Sequence, residues 1–225
     1  MIKIDKINMP EVLRYLGYKG QDIGEDLQGI INEAADECLA NIRTSYMYRL
    51  FPVTIDEDTI NFTGSSLSLK SKNLADNIRG CTMCALLCAT IGSAFDNKLR
   101  LLQATAPTKA VVFNSCGSTL AEQVVDAVEA EILETTGMKK HGYRFSPGYG
   151  DLDISAQQTL FRLLTPEKYT GINLSPSNIL IPIKSVSAIL GLSDEGKVAK
   201  PQKCGICSLG QSCEFRKRGT ICGNS

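Results

Sequence analysis

The run Cys81-Thr-Met-Cys-Ala-Leu-Leu-Cys-Ala-Thr-Ile91 constrains the fold more than any other stretch of this chain. It carries no charge, stops at Gly92, and is too short to cross a bilayer as a helix. Continuous rather than alternating apolarity is consistent with a buried strand. Cys81, Cys84 and Cys88 lie inside it at spacings that reverse the gaps of the radical-enzyme motif. A strand does not place all three on one face, so they read as small packing residues, as do Cys38 and Cys116.

Around this run the period of the sequence changes repeatedly. Residues 10–18 and 22–43 read as helices, the second with Ile23, Leu27, Ile30, Ile31, Ala34, Cys38 and Ile42 at helical spacing. Val53-Thr-Ile55, Thr59-Ile-Asn-Phe62 and Leu67-Ser-Leu69 read as strands separated by Asp56-Glu-Asp58 and Gly64-Ser-Ser66 turns. Helices are expected at 71–78, 93–103 and 107–136; the last has an apolar stripe of Ala121, Val124, Val125, Val128, Ile132 and Leu133, and Gly137 ends it. Ser155-x-x-Gln158 opens a further helix over 156–164. Asn173-Leu174, Ile179-Leu-Ile181 and Ser185 to Leu190 are short strand candidates interrupted by Pro176 and Pro182. Helices and short strands mixed without a βαβ cadence predict the α+β class. The composition turns polar and glycine-rich from Ser193, which predicts a core domain over 1–192 and a Cys-rich tail over 193–225.

Charge removes several function classes. Lys plus Arg equals Asp plus Glu at 24 each, so no basic footprint for nucleic acid or a membrane surface exists. Met1-Ile-Lys-Ile-Asp is no signal peptide and no long apolar span occurs, which predicts a cytoplasmic protein. Nine cysteines then read as reduced thiols or metal ligands rather than disulfides. His141 is the single histidine, which excludes a multi-histidine metal site.

The stretch with the most chemistry is Arg144-Phe-Ser-Pro-Gly-Tyr-Gly-Asp151. Arg144 offers a planar fork of donors for a carboxylate or phosphate. Pro147-Gly148 is a tight turn that displays Tyr149, and Gly148 and Gly150 allow a ligand close to the main chain. The plainer alternative is a surface turn whose arginine pairs with a neighbouring carboxylate.

Arg144-x-x-x-Gly148-Tyr149 resembles the signature of the activation (reactivation) domain of cobalamin-dependent methionine synthase. Leu120-Ala-Glu122 upstream, Leu163 to Ser175 downstream and Ser185-Val-Ser187 beyond it fall where that family has similar segments. Residues 85–192 carry the resemblance, and Glu11 to Gly20 resembles stand-alone members of the superfamily. The resemblance implies an α+β fold of short antiparallel strands with flanking helices, and binding of S-adenosylmethionine. The family's arginine and helical glutamate take the two charges of the ligand's amino-acid tail, which implies Arg144 and Glu122 here, with Gly148 and Tyr149 beside them. A solvated helix face, shared with Asp126 and Glu129, is the other reading of Glu122. Two departures stand out: Val186-Ser187 is followed by Ala188-Ile-Leu190 where the family has glycine and aromatics, and the family's early aspartate has no counterpart in residues 1–30.

In the tail, Cys204-x2-Cys207-x5-Cys213-x8-Cys222 brings four thiols into 19 residues, enough to encircle one zinc ion or an iron–sulfur cluster. Arg216, Lys217 and Arg218 among them would offset thiolate charge or form a docking face for an acidic electron carrier. The function implied is a reactivation module supporting reductive methylation of cob(II)alamin, with the cobalamin carried by a partner. That partner is a corrinoid protein or a methionine synthase lacking its own activation domain, and a flavodoxin or ferredoxin supplies the electron. Two other readings stay open: an iron–sulfur electron-transfer or corrinoid-activating protein, and a docking module that has lost its ligand.

Overall fold

The computed structural model of the chain describes residues 2–18 and 20–195. The metal ligands expected at Cys204, Cys207, Cys213 and Cys222 lie outside the described residues. In chain order the elements begin with α1 (Met9–Tyr15), α2 (Glu25–Asn41), β1 (Ser45–Asp56), β2 (Thr59–Phe62) and β3 (Ser68–Lys70). Then follow α3 (Lys72–Ile78), β4 (Met83–Thr90), α4 (Ser93–Thr105) and α5 (Pro107–Thr136). The remainder comprises β5 (Lys139–Phe145), α6 (Ala156–Leu164), α7 (Glu167–Thr170), β6 (Asn173–Leu174), β7 (Leu180–Ile181) and β8 (Ser185–Ser193).

These elements fall into two compact units interleaved along the chain. Among the described residues, one comprises those up to Met47, Cys88–Glu131 and Thr165–Val186; the other comprises Tyr48–Leu87, Ile132–Leu164 and residues 187–195.

The first unit is mainly helical. Asn8 caps α1 by accepting the Glu11 N–H at 3.3 Å, and Pro10 sits in its first turn, where its missing N–H costs nothing. The helical stripe expected on α2 is buried at Ile31, Ala34, Ala35 and Cys38. α2 packs on α4, whose Phe95, Leu99 and Leu102 face inward. Phe95 stacks on Phe113 of α5 with centroids 4.8 Å apart. A β-carbon on Gly117 would overlap the Phe95 ring, so the close approach of that ring requires glycine there. Lys98 and Lys109 both reach the Glu37 carboxylate, the second at 3.1 Å, and their hydrogen bonds hold Glu37 below the usual carboxylate range. β6 and β7 form a separate antiparallel pair.

The second unit contains most of a six-stranded sheet of order β3-β2-β1-β4-β8-β5, with β1/β2, β2/β3 and β5/β8 antiparallel. β4 is buried from Cys84 through Thr90, and β8 from Ser187 through Ser193, as expected of strands with neighbours on both sides. α3 packs on β2 and β5, and α6 on β3. His141 is a core residue, with Nδ1 3.3 Å from the Ser193 hydroxyl. The fold is the α+β arrangement of antiparallel strands and flanking helices anticipated from the sequence. Strand β1 is the main revision: it starts at Ser45, eight residues before the expected Val53. Its residues are mostly half-buried, so neither clean alternation nor a continuous apolar run marks it.

Cys38, Cys81, Cys84, Cys88 and Cys116 are all buried free thiols. Burial pushes Cys81, Cys88 and Cys116 up to about 12, and raises Cys38 and Cys84 as well. They are protonated packing residues at neutral pH. No group of three or more His, Cys, Asp or Glu side chains among the described residues could hold a metal ion. No described helix is long and apolar enough to cross a membrane.

Candidate functional site

Arg144, Gly148 and Tyr149 lie together in the second unit, at the end of β5 and in the turn that follows. Arg144 is half-buried. It occupies an irregular part of the strand: β5 advances from His141 to Phe145 while its partner β8 advances only from Gly191 to Ile189. Four steps face two, so the backbone of residues 142–144 bulges from the ladder. Such a bulge frees N–H and C=O groups that need other partners when buried. Asn77 on α3 supplies them. Its Oδ1 accepts the Tyr143 N–H at 3.1 Å and its Nδ2 donates to the Tyr143 carbonyl at 2.8 Å.

Beyond the strand the chain turns back on itself. The Tyr149 N–H donates to the Ser146 carbonyl at 3.0 Å, closing a turn with Pro147 second and Gly148 third at φ 92°. That is the Pro-Gly geometry of a type II turn. A second turn overlaps it: Leu152 N–H bonds to the Tyr149 carbonyl at 3.0 Å, and Gly148 N–H bonds to the Leu152 carbonyl at 2.7 Å. Leu152 is buried beneath the loop, while Tyr149 stays 46% exposed. The Tyr149 ring meets the buried Phe145 edge-on at 6.0 Å, and Phe145 stacks with Tyr143 at 5.7 Å. Burial raises the Tyr143 phenol above its usual range, with a smaller push from Tyr149.

The far end of the loop is tied to α3 as well. Asp151 accepts the N–H groups of Lys72 at 2.9 Å and Asn73 at 3.1 Å, together with the Ser71 hydroxyl. Burial opposes its ionisation, but the hydrogen bonds from Ser71, Asn73 and Lys72 outweigh it and lower its pKa. The partners of Asp151 lie about 80 residues away and leave no local signal in the sequence.

Glu122 stands in the first unit, half-buried on α5. Its neighbour Gln123 accepts the Asn8 N–H and donates to the Lys6 carbonyl, each at 3.0 Å, fastening the chain's early residues to α5. α1 brings Tyr15 within the field of Glu122: burial, then the Glu122 charge, push the phenol up to about 12. The Arg14 guanidinium, paired with Glu11, lies 4.5 Å from the centre of the Tyr15 ring. The surroundings of Glu122 therefore include an aromatic hydroxyl that the sequence did not single out.

Residues 118–218 match the family described as vitamin B12 dependent methionine synthase, activation domain. That span contains Glu122, Arg144, Gly148 and Tyr149. The fold is similar to the crystal structure of the MetH reactivation domain bound to AdoHcy. The TM-score is 0.66 and the identity 16%, over 86% of this chain and 76% of that one. No curated protein matches the chain. The chain is activation-domain-like, in agreement with the resemblance read from its sequence.

Proposed function

We propose that this protein binds S-adenosylmethionine and serves as a reactivation module for a corrinoid carried by a separate protein. The observation that carries the reading is the Arg144 bulge followed at once by the glycine–tyrosine turn, inside the span that matches the activation-domain family. The donor set fits the ligand. A half-buried guanidinium suits a carboxylate, Glu122 suits an ammonium, and the exposed Tyr149 offers a flat face and a hydroxyl. The positive φ of Gly148, 92°, and its lack of a side chain leave the main chain open to adenosine.

The ligand supplies a sulfonium methyl group for transfer to reduced cobalt, leaving S-adenosylhomocysteine. A flavodoxin- or ferredoxin-class donor would supply the one electron that the partner's cob(II)alamin needs before it can accept the methyl group. The chain's own residues bind and orient: Arg144 takes the ligand's carboxylate and the loop after Phe145 the adenosyl end, while the resemblance implies Glu122 for the ammonium. Rate then comes from positioning rather than from a general acid or base. The corrinoid partner is a methionine synthase without its own activation domain or a related corrinoid protein, met in the cytoplasm. The four tail cysteines hold zinc or an iron–sulfur cluster in this reading.

Calorimetric titration of the anaerobically purified chain with S-adenosylmethionine tests it. Saturable binding that Arg144→Ala and Glu122→Ala abolish, and that Arg144→Lys weakens, is expected. A folded wild-type chain that binds no S-adenosylmethionine overturns the reading.

A further inference from the structure

We propose that Asn77 is the positioning residue for Arg144, so that helix α3 sets the end of the site that receives the ligand's carboxylate. This rests on the reading that Arg144 meets that carboxylate. Three observations converge on it. Gly142 has φ 73°, and a β-carbon there would overlap the main-chain and side-chain oxygens of Asn77, so strand and helix touch without a side chain between them. Tyr143 is then held at both its N–H and its carbonyl by the one Asn77 amide. Phe145, on the other side of Arg144, is back in register with Ile189 and its ring is fully buried.

The backbone of Arg144 is therefore bracketed by two fixed residues although it lies in a bulge. A bulge without such a brace would let the guanidinium start from many orientations, and ordering them on binding would reduce affinity. Only a short side chain with one donor and one acceptor can imitate the neighbouring strand that the bulge lacks. Aspartate accepts at both oxygens, alanine does neither, and glutamine is one methylene longer. Asn77 is itself buried, so its amide is committed to this contact rather than to solvent.

The test compares two ligands in calorimetry: S-adenosylmethionine, and 5′-methylthioadenosine, which keeps the adenosyl group and sulfur but has no carboxylate. Asn77→Ala and Asn77→Asp are expected to weaken the first about tenfold while leaving the second within about twofold of the wild type. Asn77→Asp keeps the volume and the acceptor for the Tyr143 N–H, so it reports even where the alanine variant does not fold. Equal weakening of both ligands would make Asn77 a general structural residue and overturn the proposal, as would unchanged binding of S-adenosylmethionine. A wild-type chain that binds neither ligand overturns instead the functional reading on which the proposal stands.

Discussion

Asn73 and Asp151 cap each other: the Asp151 carboxylate accepts the Asn73 N–H, and the Asn73 side-chain oxygen accepts the Asp151 N–H, both at 3.1 Å. Asp151 thus satisfies N–H groups at the start of α3 that no helical carbonyl can reach, and Ser71 adds its own cap through Leu74 N–H at 3.0 Å. Asp151→Ala is expected to lower stability by about 0.5–2 kcal/mol, the usual range for a lost cap, measured by urea unfolding. The pH dependence has a definite sign. Because the folded-state pKa is depressed, the contribution is present above the ordinary carboxylate value and lost as pH falls through the folded value. The gap between wild type and Asp151→Ala should stay constant near neutrality and close below about pH 4. A gap that widens in acid contradicts the assignment.

Gly117 gives a packing prediction in the first unit. Alanine in a helix interior is intrinsically better than glycine by about 1 kcal/mol. Here the added methyl would overlap the fully buried Phe95 ring, which is already stacked against Phe113. Overpacking of that kind costs about 1–3 kcal/mol and exceeds the propensity gain. Gly117→Ala should therefore lower the thermal midpoint, whereas Gly29→Ala on α2, with open space around it, should not.

Cys38, Cys81, Cys84, Cys88 and Cys116 are buried and their thiolates disfavoured, so they should resist a bulky disulfide reagent at neutral pH until the chain unfolds. Reaction of any of them at a rate comparable to a free peptide thiol would contradict their placement in the core.

Elemental analysis of anaerobically purified protein should find zinc, or iron with inorganic sulfide, bound through Cys204, Cys207, Cys213 and Cys222. Substitution of Cys207 by serine should release it. Metal-free protein with nine titratable thiols after unfolding would remove the metal from the proposed function.

How much of this was legible beforehand depended on whether the signal was local. The α2 stripe and the charge-free run of β4 follow from sequence period, because burial on a face or on both faces leaves its mark in consecutive residues. The Pro147-Gly148 turn was legible for the same reason, and the resemblance attaches a function to it. Asn73 and Asn77 were not. On a seven-residue helix two asparagines read as ordinary polar surface, and their partners lie 78 and 66 residues away. The early part of β1 was hidden by Arg49 and Pro52, which break its apolar run.

Asn73 and Asn77 sit four residues apart on one helix, so the two points at which α3 grips the loop are separated along its axis by about 6 Å. The helix acts as a ruler for the ends of the segment from Tyr143 to Asp151, whatever lies between them. Phe145 is itself fixed by its pairing with Ile189 and its burial, so the exchangeable part is the turn between Phe145 and Asp151. Changes confined to that turn would alter what Tyr149 presents while both attachment points keep their places, and the same frame offers an engineer a defined window for grafting other loops.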